Sequence, residues 1–152
     1  ENDEAINELL NNIEVNGKHI DFPFTLNDLG DDFEFDNYVD MGDGTYGMDL
    51  KYKDESVAIV YVYSDTEKNI DRKSPIINMS TNDVYKQIFA INNVDCNSDV
   101  EDVKKYMNKF EINYDENGKA TGIEYENEKW IFSLYFNEEN KVGMIILISK
   151  GE

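Results

Sequence analysis

Residues 121–149, TGIEYENEKWIFSLYFNEENKVGMIILIS, hold three apolar segments in close succession. Residues 121–126 alternate apolar with polar side chains, 129–136 are mostly apolar and aromatic, and 142–149 are almost wholly aliphatic. Segments this short, rich in β-branched and aromatic residues, predict strands. Glu138-Glu139-Asn140-Lys141 supplies a turn between the last two. Upstream, residues 111–114 lead into a turn at Glu116-Asn117-Gly118, so the C-terminal region reads as a meander. Ahead of it Ser98 stands as an N-cap with Glu101 three residues on. At that spacing a carboxylate reaches back to the cap. Val100, Val103, Tyr106, Met107 and Phe110 form one apolar stripe, which predicts a helix.

The first half of the chain follows a similar plan. Residues 4–12 place Ala5, Ile6, Leu9 and Leu10 at helical spacing. Ile13-Glu14-Val15, then Asn16-Gly17, then alternating Ile20, Phe22 and Phe24 predict a hairpin with a type I′ turn. Thr25 caps a short helix through Leu26 and Leu29, with Asp28 at the capping-box position. Residues 33–38 read as a strand, Asp40-Met41-Gly42-Asp43-Gly44 as a loop, and Tyr46, Met48, Leu50 and Tyr52 as alternating positions of another strand. Residues 56–64 are nearly continuous in apolar character, which predicts a strand covered on both faces. The polar run 69–74 ends at Pro75 and connects the halves, and 84–91 reads as a further strand.

Set side by side, the two halves correspond in order. Thr25-Leu26-Asn27-Asp28-Leu29 parallels Asp99-Val100-Glu101-Asp102-Val103, and Phe33-Glu34-Phe35 parallels Phe110-Glu111-Ile112. Residues 47–52 parallel 122–126, and 57–63 parallel 131–136. One such unit would leave its apolar sheet face uncovered, whereas two side by side bury it. The expectation is a single α+β domain over 1–152, with an internal repeat at 13–68 and 84–150. Its tandem helix-plus-antiparallel-meander units would form a curved sheet with helices on one face.

At these residues the chain resembles a family. The segment Ser98-Asp99-Val100-Glu101-Asp102-Val103 through Asn140-Lys141-Val142-Gly143-Met144-Ile145 is similar to the capped helix and meander of β-lactamase-inhibitor-protein-like domains and small outer-membrane-lipoprotein units. Ile13-Glu14-Val15-Asn16-Gly17-Lys18 with Phe22-Pro23-Phe24 is similar to the opening of lipoproteins of Gram-positive gut bacteria. The resemblance implies a tandem-repeat binding domain, and it carries over no inhibitory residue.

Composition narrows the function classes. The chain has 33 acidic against 14 basic residues and a formal charge of −19. Such a field repels phosphate backbones, so no nucleic-acid partner is expected. The same field attracts basic proteins and cations, besides conferring solubility. One cysteine, Cys96, excludes a disulfide framework and a cysteine-built zinc site. No apolar run approaches the ~20 residues that span a bilayer. The chain opens on Glu1-Asn2-Asp3-Glu4 without an initiator methionine, which points to a start trimmed after a signal or lipid anchor. A membrane would then be met only through that removed anchor.

Candidate chemistry is sparse. A Ser-His-Asp centre would need His19, which follows a tight turn and has no nucleophile elbow to serve. Cys96 lies between Asp95 and the nearby Asp99, and acidic neighbours disfavour a thiolate. Calcium is the inorganic candidate: Asp36, Asp40 and Asp43 share one loop with Gly42 and Gly44, although Tyr38 breaks the EF-hand spacing and the loop also works as a plain turn. The aromatic residues offer more. Tyr46, Tyr52, Tyr61, Tyr63, Tyr125, Trp130 and Tyr135 fall on expected strands, either as stabilising cross-strand pairs or as a binding patch on an open sheet face.

The expected function is therefore that of an extracytoplasmic, non-catalytic binding module. It would be a monomer without cofactor, located outside the cell or at its surface, and would meet a protein partner through an aromatic sheet face. The alternative is a cytosolic acidic immunity or inhibitor protein that neutralises a basic partner.

Overall fold

The computed structural model describes residues 3–151. Glu1 and Asn2, on which the expectation of a trimmed start rests, lie outside the described residues. The chain is α+β, with mostly antiparallel strands. Among the described residues it forms α1 (Asp3–Leu10), β1 (Ile13–Val15), β2 (Lys18–Ile20), α2 (Leu26–Leu29), β3 (Phe33–Asp40), β4 (Thr45–Tyr52), β5 (Glu55–Tyr63), β6 (Asn78–Asn82), β7 (Phe89–Ile91), α3 (Val100–Tyr106), β8 (Asn113–Tyr114), β9 (Ala120–Glu126), β10 (Trp130–Phe136) and β11 (Val142–Ser149). Two antiparallel sheets result. The larger runs β3-β4-β5-β6-β11-β10-β9-β8, and the smaller runs β2-β1-β7.

The large sheet is symmetric in order. β6 lies beside β11 at its centre, and on each side the strands run outward in reverse chain order. β6 was invisible as a strand in the sequence, because Asn78-Met79-Ser80-Thr81-Asn82 holds one large apolar residue. Its place is secured by pairing on both edges, Met79 opposite Val60 and Leu147. Thr81 is buried, and its hydroxyl donates to the Val57 carbonyl at 3.0 Å. Val57 is the extra residue of β5 where the register to β4 shifts, so this bond satisfies a carbonyl left over by a bulge.

One face of the large sheet carries the core. Phe33, Phe35, Met48, Leu50, Ala58, Val60, Val62, Met79, Leu147, Ile145, Phe132, Leu134 and Ile123 are all buried. They pack against the small sheet and its flanking segments, including Phe22, Phe24, Ile76, Ile88, Phe89, Ile91 and Val94. The Phe24 and Phe89 rings stack with centroids 6.3 Å apart. The Asn16-Gly17 turn between β1 and β2 has the positive φ values a type I′ turn needs, 53° and 80°.

Three expectations need correction. The helices are few and do not gather as a layer on one face. α2 is a single turn stopped at Gly30, whose φ is 117°, and α3 has seven residues, so non-helical segments do much of the covering. The cap of α3 is Asp99 with Asp102 completing the capping box, while the Ser98 hydroxyl accepts the Asp95 N–H at 3.0 Å and closes a separate turn. Residues 84–91 yield only β7, which joins the small sheet. The side-chain amide of Gln87 donates to the carbonyls of Asn82 and Tyr85 at 2.8 Å each and holds the preceding residues as a turn.

The single arginine organises one end. Arg72 Nη1 donates to the Phe33 carbonyl at 2.8 Å, and Nη2 donates to those of Gly30 at 2.6 Å and Leu26 at 3.2 Å. The last turn of α2 and the start of β3 are thus tied to the link that leads to β6.

Candidate functional site

Residues directly opposite one another in an antiparallel sheet share a face, so the register assigns every side chain of the large sheet to the core side or the open side. One row across the open side runs Asp36, Asp49, Ile59, Ser80, Ile146, Ser133 and Glu124. The next runs Val39, Gly47, Tyr61, Asn78, Ile148, Ile131 and Glu126. Tyr63 lies beyond them opposite Thr45, while Met144 and Tyr135 form a pair at the other end.

The open side therefore carries aliphatic and tyrosine side chains on β5, β11 and β10, with Asn78, Ser80 and Asn82 of β6 among them. Ile59 and Tyr135 are each 36% exposed and Tyr63 is 57% exposed. Tyr61, Ile131, Met144, Ile146 and Ile148 are half-buried by one another and by their polar neighbours. Four strands at ~4.8 Å spacing and five residues of length give a strip of roughly 300 Å². Its apolar part, less the polar Asn78, Ser80 and Ser133, is within the size of apolar patches that an ordinary monomer carries. A depression of about 230 Å³ opens at one end of it, lined by Met41, Tyr61, Tyr63, Ile148 and Lys150.

Of the seven aromatic residues singled out in the sequence, three belong to this face: Tyr61, Tyr63 and Tyr135. The other four turn the opposite way. Tyr46 falls in phase with buried Met48 and Leu50. Tyr52 packs on Phe33 with ring centroids 4.8 Å apart, Tyr125 packs on Phe110 at 5.7 Å, and Trp130 packs on Phe22 at 6.1 Å. Strand parity explains the division. Ile59, Ile131, Met144, Ile146 and Ile148 line this face too, and the near-continuous apolar runs of β5, β10 and β11 carry their signal in the sequence. The continuous apolar run in β5 predicts two covered faces, and the structure covers one, leaving Ile59 and Tyr63 exposed.

Charge frames the strip on both sides. On one flank lie Glu34, Asp36 and Asp49, with Lys51 Nζ 3.1 Å from Asp36. The Lys51 hydrogen bond, followed by the Asn37 N–H, holds the Asp36 carboxyl below its ordinary pKa, so it stays ionised. Asp49 accepts from the Asn37 side chain at 2.6 Å. On the other flank lie Glu124, which accepts the Tyr135 hydroxyl at 2.8 Å, and Glu126, which is 2.7 Å from Lys150 Nζ. The Glu124 contact, and then burial, raise the Tyr135 pKa.

The three aspartates considered for calcium do not converge. Asp36 is engaged by Lys51 and the Asn37 N–H, Asp40 accepts the Gly42 N–H at 2.9 Å, and Asp43 accepts the Thr45 N–H at 3.1 Å and its hydroxyl at 2.6 Å. Among the described residues no three His, Cys, Asp or Glu side chains are grouped so as to hold a metal ion. His19 faces Asp21 at 3.0 Å on the surface. Cys96 is buried, and its amide N–H donates to the Gln87 side chain. A groove of about 650 Å³ between α3 and the β8–β9 turn carries Lys104, Lys119 and Lys141 among Asp99, Glu101 and Glu139. Lys119 there is occupied with Asn140 at 2.9 Å. No family model, curated protein or solved structure matches the chain. No described helix is long and apolar enough to cross a membrane.

Proposed function

We propose that this chain is a non-catalytic binding module that docks a protein partner on the open face of its large sheet. The observation that carries the proposal is the set of aliphatic and tyrosine side chains that β5, β11 and β10 place on the open side, on either side of the polar β6. In a chain of net charge −19, β5, β11 and β10 present isoleucine, methionine and tyrosine on the open side, with Asn78, Ser80 and Asn82 of β6 between them, at positions where polar residues would serve a purely structural sheet as well. The largest apolar patch of a monomer, rimmed by polar groups, is often its functional surface. Tyr61, Tyr63 and Tyr135 add rigid apolar area with a polar tip, which favours them at the centre of interfaces.

The same proposal takes residues 13–68 and 84–150 as two copies of one unit, α2 with β3–β5 corresponding to α3 with β8–β10. The symmetric strand order about β6 and β11 supports it. It also includes an extracytoplasmic location, without a cofactor.

Photo-crosslinking tests the binding face. Benzoylphenylalanine is placed at Ser80, in the middle of the open face, and separately at Glu14, the exposed residue of β1 in the small sheet. Both proteins are irradiated in extract of the cells that produce the chain. A discrete adduct from Ser80 that excess unlabelled protein suppresses, and none from Glu14, is the expected result. Equal labelling from both positions would refute the assignment of the face.

A further inference from the structure

We infer that the partner presents a cationic protein surface with an apolar centre, its lysines and arginines falling on the two acidic flanks of the open face. The inference rests on the open face being the binding surface and adds the chemistry of what binds there.

The row Asp36, Asp49, Ile59, Ser80, Ile146, Ser133, Glu124 places carboxylates at both ends and apolar or small groups between. Asp49 and Glu124 stand five strands apart, about 24 Å. Glu34, Asp36 and Asp49 face one cation, Lys51, and Glu124 and Glu126 face one, Lys150. Each flank therefore keeps a negative excess after its internal ion pair. Charges arranged round an apolar centre occupy the rim of an interface, where they set partner choice and the rate of encounter. A partner with acidic groups in those places would meet like charge on both sides. A basic one meets opposite charge on both sides and is steered from a distance by the net charge of −19.

Three labelled heptapeptides test this by fluorescence anisotropy. An extended heptapeptide spans about 23 Å, the distance between the flanks. The probes are Lys-Lys-Trp-Ile-Phe-Lys-Lys, its charge-reversed twin Glu-Glu-Trp-Ile-Phe-Glu-Glu, and Lys-Lys-Ser-Gly-Ser-Lys-Lys without the apolar centre. The first is expected to bind about tenfold or more tightly than either of the others, and to weaken as salt rises from about 50 to about 500 mM. Asp49→Asn with Glu124→Gln should weaken it about fivefold and flatten the salt dependence. Glu14→Gln with Glu116→Gln makes the same change of net charge elsewhere and should leave binding as it was. Equal binding of the two charged twins, an equal effect of the two double variants, or no binding of the lysine-flanked peptide would overturn the cationic partner. Ile146→Lys separates the two readings. If it abolishes peptide binding whatever the charge pattern, the open face stands without charge selection. If it changes nothing, the open face itself is wrong.

Discussion

The Tyr61 ring fills the space above Gly47: a β-carbon at Gly47 would come within 3.1 Å of Tyr61 Cε2 and 3.5 Å of the Met41 sulfur. The missing side chain on β4 lets the neighbouring strand's tyrosine lie down across the open face. Gly122, on β9, is also tightly approached, but by something that cannot yield. Its β-carbon would run into the Leu134 carbonyl oxygen, with φ at +155°. Gly47→Ala should therefore cost less than about 1 kcal/mol, because a half-exposed ring can swing aside. Gly122→Ala should cost more than about 3 kcal/mol, because the backbone of β10 has to move. Urea denaturation of the two variants checks the ranking, and equal losses would contradict it.

Arg72 should prove the most consequential surface-reaching cation. Its guanidinium serves three carbonyls at the junction of α2 and β3. Hydrogen bonds from a charged donor contribute about 1.5–3 kcal/mol each, and partial solvent access reduces that. Arg72→Ala is expected to destabilise by about 2–4 kcal/mol in urea melts, and Arg72→Lys to recover under half of it, since an ammonium cannot fork between Gly30 and Phe33.

Much of this architecture is readable in the residues. The Asn16-Gly17 hairpin, the Thr25–Asp28 capping box and the closing meander announce themselves because turn chemistry and strand periodicity are local. What escapes is decided by neighbours. β6 is a strand because β5 and β11 offer two edges to it, and its own composition does not require it. Whether Tyr46 or Tyr61 lies on the open side depends on which face of the sheet is covered, which the alternation along either strand does not say. The same limit hides which residues line the open face, since the apolar runs of β5 and β11 look alike whether one side or both are covered.

Thr81 gives that lesson a measurable form. A threonine in a polar strand looks replaceable, yet it is buried and donates to the bulge carbonyl of Val57. Thr81→Val keeps the shape and removes the donor, leaving that carbonyl unpaired. A loss of about 1–2 kcal/mol is expected in urea denaturation, with the fold intact by circular dichroism.

Cys96 supplies a pH signature. Burial, then the carboxylates of Asp83 and Asp95, push its thiol up from 9.0 to about 12. The unfolded chain releases that proton near pH 9, whereas the folded chain holds it, so the unfolded state binds fewer protons between those values. This contribution is fully present below pH 9 and is lost as pH climbs from 9 towards 12. The native thiol should resist alkylation at pH 8 and become reactive in urea. Cys96→Ala should remove part of the alkaline loss seen in urea melts at pH 10 and 11, and identical slopes for both proteins would refute the burial effect.

The most direct test replaces Ile59 and Ile148 together by lysine, on strands that flank β6. Both side chains lie on the open face, so the thermal midpoint should stay within a few degrees of the parent while the adduct formed from Ser80 disappears. A variant that melts normally and still yields the adduct would contradict binding through this face.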